Sequence, residues 1–180
     1  MGATTTLVTV PEFLQLPEPE GQRIELIGGE VISMPRAGYP HEITKSNLIM
    51  LLTPWALQNS GLRVGSETAY QLDDQSCLIP DVSLFAASRI SPGTTGVIKN
   101  APELAIEIVS SESAAQLETK IELYLAHGAK SVWVVYPQRR VVRIFNSAGG
   151  ATKFDRDQPL VDPTVLPGFS APTSAIFEGV

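Results

Sequence analysis

Asp81, Glu107 and Lys120 are the residues of this chain that ordinary surface decoration explains least well. Asp81 lies in Pro80-Asp81-Val82-Ser83-Leu84-Phe85, and Glu107 sits between Ile106 and Ile108 in the apolar run Leu104 to Val109. A carboxylate on a buried strand is costly unless something positive meets it. Hard divalent cations take oxygen ligands, and two carboxylates plus water are a minimal set for Mg²⁺. Lys120, on a predicted helix, would bring a positive charge to the same place. Together the three suit hydrolysis of a phosphodiester, in which a bound metal polarises the phosphate and lowers the pKa of water.

The elements that must position these groups follow from patterning. Thr9-Val10-Pro11-Glu12 fits a capping box, which predicts a short helix from about Pro11 to Leu16. Gly28-Gly29 between Arg23-Ile24-Glu25-Leu26-Ile27 and Glu30-Val31-Ile32-Ser33-Met34 predicts a two-residue hairpin. His41 to Gln58 carries Leu48, Leu51, Leu52 and Trp55 at helical spacing, with Pro54 expected to kink or end the helix. Leu62 to Leu72 reads as one or two strands, Cys77 to Phe85 as a single strand, and Ser88 to Asn100 as a loop. Leu104 to Val109 has the continuous apolar character of a central strand covered on both faces. A helix from Ser113 to His127, closed by Gly128, should cross over to a hairpin of Ser131–Tyr136 and Val141–Phe145. The tail from Gly149 is less regular, with a turn at Leu166-Pro167-Gly168-Phe169 and a last packing segment at Ala175-Ile176-Phe177. The sum is an α/β fold with a mixed central sheet flanked by helices, expected to form one domain over residues 1–180.

Bulk properties narrow the function classes. With 180 residues, 43% hydrophobic and 18% charged, the composition is that of a globular protein rather than a disordered one. A lone cysteine, Cys77, cannot form an internal disulfide and fits a reducing, cytoplasmic setting. No apolar run approaches the roughly 18 residues of a membrane helix. Met1 to Thr6 lacks the basic start and apolar core of a secretory signal, and the Gly2/Thr6 match to a myristoylation pattern is too short to carry weight. The net charge of −6, from 13 Lys and Arg against 19 acids, runs against extensive phosphate contact, which needs cations. The basic residues are dispersed, and Arg139-Arg140-Arg143 is the only tight group.

Each candidate has a plainer explanation. At about 100° per residue, Leu117, Ile121, Tyr124 and Leu125 form one helix stripe, and Lys120 lies roughly 40° from Tyr124 at its edge. A lysine there could simply snorkel to solvent. Glu107 could face water or pair with an arginine, and Asp81 could be a strand-start aspartate. Glu25 and Glu30 read as hairpin decoration, His41 as a residue at a helix start, and His127 as a response to the helix dipole. No Cys/His cluster suggests zinc, and no glycine-rich phosphate loop is present.

Taken in order, Glu25-Leu26-Ile27-Gly28-Gly29-Glu30, His41, Pro80-Asp81-Val82-Ser83, Leu104-Ala105-Ile106-Glu107-Ile108-Val109-Ser110, Lys120-Ile121-Glu122-Leu123-Tyr124 and Ser131-Val132-Trp133-Val134-Val135 resemble the Uma-type restriction endonuclease family, within the PD-(D/E)XK nuclease superfamily. The resemblance runs from Arg23 to about Phe177. It implies a restriction-endonuclease-like fold, Mg²⁺ (or Mn²⁺ in its place) held by Asp81 and Glu107, Lys120 positioning the attacking water, and Glu25 as an outer metal or water ligand. It also implies DNA as the partner and a homo-oligomer, such as a dimer. The superfamily's usual lysine position, two residues after the Glu, is Val109 here, and Lys120 is the match displaced to the following helix. Two departures stand out: Gln116, four residues before Lys120, and Tyr136 before Pro137 occupy positions where the family commonly has aspartate. On helical spacing Gln116 borders the same site as Lys120. Two functions follow: a metal-dependent DNA endonuclease, or a catalytically impaired module of the same fold that binds nucleic acid or a partner protein.

Overall fold

The computed structural model describes residues 7–59, 61–91, 93 and 96–180. The Gly2/Thr6 pattern lies outside them. The element order is α1 (Val10–Phe13), β1 (Gln22–Ile27), β2 (Glu30–Pro35), α2 (Tyr39–Gln58), β3 (Leu62–Ser66), β4 (Tyr70–Gln71), β5 (Cys77–Leu78) and β6 (Val82–Ala86). It continues with β7 (Ile98–Lys99), β8 (Leu104–Ile108), α3 (Ala114–Ala126), β9 (Ser131–Tyr136), β10 (Val141–Asn146), β11 (Ala151–Asp155), β12 (Pro159–Leu160) and β13 (Ala171–Pro172). The fold is mixed α/β, as the patterning predicts.

A six-stranded sheet in the order β11-β10-β9-β8-β6-β3 forms the centre, and a five-stranded sheet β2-β1-β5-β4-β7 lies beside it. Strand β8 runs parallel to β9 and antiparallel to β6, with α3 as the crossover between the parallel pair. Its five residues are all buried, which matches the continuous apolar run. One face of β8, carrying Leu104, Ile106 and Ile108, packs with Trp133, Leu48 and Leu52 of α2, and Ile176 and Phe177. The other face, with Ala105 and Val132, packs against Tyr124 of α3 and Leu78. The tail is anchored by the Trp133 indole, which donates to buried Asp162 at 2.8 Å.

Four local expectations are corrected. The predicted single strand from Cys77 to Phe85 is two strands in different sheets, separated at Ile79-Pro80-Asp81. Proline cannot donate to a ladder, and the break at Pro80 is where the chain passes from the smaller sheet to the larger. Helix α2 continues through Pro54 to Gln58 rather than ending there. Pro54 leaves the Met50 carbonyl without its helical donor, and both residues are exposed, so water can take that carbonyl. Ala151–Asp155, expected to be irregular, is a regular strand paired along β10. The first helix is shorter than predicted, ending at Phe13, although its capping box is present.

Candidate active site

Five separate segments converge where the two sheets meet. The hairpin β1–β2 brings Glu25 inward from the smaller sheet. In the larger sheet Val82 lies opposite Ile106, so one further step of the antiparallel register sets Asp81 opposite Glu107. Residues facing each other across a ladder share a face, and that face is the one α3 covers. Helix α3 supplies Lys120 and Tyr124, one turn apart, and α2 supplies His41 and Lys45. Glu25, Asp81, Glu107 and Lys120 are each at most 1% exposed.

Lys120 lies between two carboxylates, with Nζ 2.8 Å from Glu107 Oε2 and 3.0 Å from Glu25 Oε2. Its stripe-edge position leaves open a side chain that snorkels to solvent or one that aims its ammonium at a neighbour. The structure shows the second, with the whole side chain buried because β1 and β8 both present acids to it. Burial alone would depress its pKa, but Glu107 and Glu25 outweigh that and raise it. Glu107 Oε1 accepts a hydrogen bond from the Tyr124 hydroxyl at 2.8 Å. Glu25 Oε1 accepts from the Ile79 amide at 2.7 Å, and from Lys120 at 3.3 Å. The amide is available because the strand breaks at Ile79.

Asp81 has a different environment. Its Oδ1 faces the Arg23 guanidinium at 3.2 Å, while Oδ2 accepts from the Ile108 amide at 2.8 Å and faces His41 Nε2 at 3.1 Å. Burial would raise its pKa, yet His41, the Ile108 amide and Arg23 together lower it. His41 is shifted upward: burial opposes its charge, but Asp81 on one side and Glu42 on the other favour it. Glu107 goes the other way from Asp81. Burial pushes its carboxyl up to about 8, against the pull of Lys120 and reinforced by Glu25 and Asp81. Tyr124 is raised well above its ordinary value by burial and by the carboxylates around it.

The donor chemistry suits a hard cation. Glu25 Oε2 and Glu107 Oε2 are buried carboxylate oxygens whose one polar contact among the described residues is the Lys120 ammonium. Oxygens with spare lone pairs are the ligands Mg²⁺ and Mn²⁺ select. Among the described residues no ready set of three or more His, Cys, Asp or Glu ligands converges on one point. Of the facing pair Asp81 and Glu107, Glu107 has an oxygen with spare lone pairs, whereas both Asp81 oxygens already face protein donors.

Sequence reasoning anticipated the Asp81–Glu107–Lys120 convergence and missed its inner surroundings. His41 does not cap α2, whose N-cap is Gly38; it faces Asp81. Arg23 and Tyr124 were not singled out, and each touches a candidate carboxylate. Gln116 is occupied at the start of α3, where it completes a capping box with Ser113, whose backbone and hydroxyl donate to Gln116 Oε1 at 3.0 Å. The Ser113-x-x-Gln116 spacing was the signal for that role. At the outer edge Glu67, in the left-handed region at φ 49°, accepts from Lys45 at 2.8 Å and lies 3.5 Å from Arg23.

Comparison with known proteins agrees with this architecture. Residues 10–174 match a family model described as "Uma2: Putative restriction endonuclease". The chain belongs to the Uma2 family. Over 95% of its length it superposes on 98% of a solved structure from Anabaena variabilis ATCC 29413, described as "a putative nuclease belonging to DUF820", with a TM-score of 0.82 and 26% identity. A weaker likeness joins 74% of the chain to 11% of a chain in the DrdV–DNA complex, at 16% identity and a TM-score of 0.42. No curated protein matches the sequence. The fold is therefore restriction-endonuclease-like, and family and neighbour together support a nuclease. Restriction-endonuclease-like proteins generally depend on a divalent metal. Among the described residues no helix is long and apolar enough to cross a membrane.

Proposed function

We propose that this chain is a metal-dependent DNA endonuclease that hydrolyses phosphodiester bonds. The observation that carries the reading is the meeting of Asp81, Glu107 and Lys120, from two adjacent strands and the next helix, in one buried cluster. Asp81 and Glu107 would hold Mg²⁺, with Mn²⁺ as a substitute. When bound, the metal supplies Lewis-acid polarisation of the phosphate and a lowered pKa for water. Hydrolysis joins a water oxygen to phosphorus, breaks the bond to the leaving sugar oxygen and protonates that oxygen. Lys120, kept charged by two carboxylates, orients the water and offsets negative charge that grows on phosphorus. Glu25 anchors Lys120 from the opposite side. Tyr124 fixes the Glu107 carboxyl, and Arg23 and His41 hold Asp81 ionised.

A second reading, a nuclease-fold module that binds nucleic acid or a partner protein without cutting, draws support from one observation. Both Asp81 oxygens already face protein donors, Arg23 on one side and His41 with the Ile108 amide on the other. In that case the acids serve a structural ion network. Supercoiled plasmid incubated with wild-type protein, Asp81→Ala and Lys120→Ala in Mg²⁺ or Mn²⁺ separates the two. The hydrolytic reading expects nicking by the wild type alone. Nicking that persists undiminished in both variants, or is absent throughout, removes it.

A further inference from the structure

The sheet carries the candidate site outward along a single cross-strand row. Glu107 on β8 is opposite Val134 on β9, Val134 is opposite Arg143 on β10, and Arg143 is opposite Lys153 on β11. Directly opposed residues share a face, so Arg143 and Lys153 stand on the same face as Glu107. With neighbouring strands about 4.8 Å apart, their Cα atoms lie roughly 10 and 14 Å from that of Glu107. Val134 is fully buried, whereas Arg143 and Lys153 are exposed.

Two adjoining concavities follow the row. One, of about 260 Å³, begins at Val109, two residues beyond Glu107, and reaches Tyr136 and Arg139. The next, of about 400 Å³, shares Tyr136 and Arg139 and contains Arg143, Lys153 and Asp155. Arg143 lies over the Tyr136 ring at 5.8 Å from its centre, and Lys153 contacts Asp155 at 2.8 Å. Three cations therefore share one acid on this stretch, in a chain whose net charge is −6. Like charges directly opposite on a ladder are destabilising. The facing of Arg143 and Lys153 is unfavourable for the sheet itself and favourable for a polyanion laid across it.

We infer that the row from Val109 through Tyr136 and Arg139 to Arg143 and Lys153 is the track for the sugar-phosphate backbone of duplex DNA leading away from the scissile bond. It rests on the nuclease reading and names how that site holds its substrate. At about 3.4 Å of axial rise per phosphate on a strand, the reach of 10–14 Å to Arg143 and Lys153 sets them about three to four nucleotides from the phosphate at Glu107. The track contacts phosphates, so it adds affinity and orientation without reading base identity.

The test is equilibrium binding of a fluorescent DNA duplex in Ca²⁺ across a salt series, beside plasmid cleavage by the same proteins in Mg²⁺. Arg143→Ala/Lys153→Ala is compared with wild type and with Lys99→Ala, an exposed lysine on the smaller sheet. The double variant should bind roughly tenfold more weakly near 0.1 M salt, with the slope of log K against log salt shallower by about 2. Lys99→Ala should match wild type. Cleavage by wild type with unchanged affinity and slope in the double variant overturns the track and leaves the nuclease reading intact. Loss of affinity and slope in the double variant, with no cleavage by any protein, keeps Arg143 and Lys153 as backbone contacts for duplex DNA but removes the nuclease reading, and with it a track that leads from a scissile bond. Wild type that binds no duplex at low salt overturns the track.

Discussion

Asp81 and Glu107 face each other from adjacent strands and are buried alike, yet their carboxyls shift in opposite directions. Asp81 is lowered because an imidazole, a guanidinium and a backbone amide all meet its two oxygens. Glu107 rises to about 8 because burial is opposed only by an ammonium that it shares with Glu25, and among the described residues Tyr124 is its one other partner. The supply of positive groups, rather than burial, separates them. A pair of titratable groups whose surroundings push their pKa values apart can divide the work of a reaction: one stays ionised, the other exchanges a proton near neutral pH. The contrast also explains why Lys120 is buried. Among the described residues it is the one ammonium serving the poorly supplied side.

Removing that ammonium should have the largest effect. Lys120→Ala leaves Glu107 and Glu25 facing each other in the interior, and loss of one partner from a buried ionic group costs about 3–5 kcal/mol. The cost should appear in urea unfolding at about pH 9, where Glu107 of the wild type is ionised beside Lys120, and shrink at pH 5, where Glu107 holds its proton. An equal loss at both pH values would make Lys120 a packing residue and dissolve the contrast.

A smaller effect concerns the pH dependence of stability. Glu107 ionises near its ordinary 4.5 when unfolded and near 8 when folded, so the native state binds the extra proton between those values. Stability therefore falls as pH rises through that window. His41, whose pKa is raised above its ordinary 6.5, adds a decline of the same sign from there upward. In Glu107→Gln the decline in melting temperature from pH 5 to pH 8 should be shallower but still present. An unchanged slope would mean that Glu107 ionises normally.

Tyr124→Phe should be the mildest. It removes a buried hydroxyl that donates to Glu107 and should cost about 1 kcal/mol in urea unfolding. The fold remains because the ring still packs with Ala105 and Val132. A neutral substitution would show that Glu107 does not depend on that donor.

Legibility from sequence follows the same physical division. The three charged residues were readable because a charge inside an apolar stretch demands a partner. Glu25 was readable only through family resemblance, since on its own it matches any hairpin glutamate. Tyr124 was counted in the apolar stripe of α3, and a tyrosine buried for its ring looks the same as one buried for its hydroxyl. His41 and Arg23 depend on what lies across a sheet junction, which local pattern does not encode. The depth of Lys120 was hidden for a related reason: helical angle gives a direction, not the acids that wait there. The break in Cys77–Phe85 was signalled by Pro80, but the apolar run on either side masked it.

Titrating Mn²⁺ against thermal stability, in wild type and in Asp81→Asn and Glu107→Gln, asks whether the two facing carboxyls share one cation. A ligand bound only by the native state stabilises it, by about 2.7 kcal/mol at a hundred times its Kd. The expected result is a rise in Tm for wild type, larger as pH passes about 8 and Glu107 loses its proton, and no rise in either variant. A rise of equal size in both variants, or none in wild type, would contradict a cation held between Asp81 and Glu107.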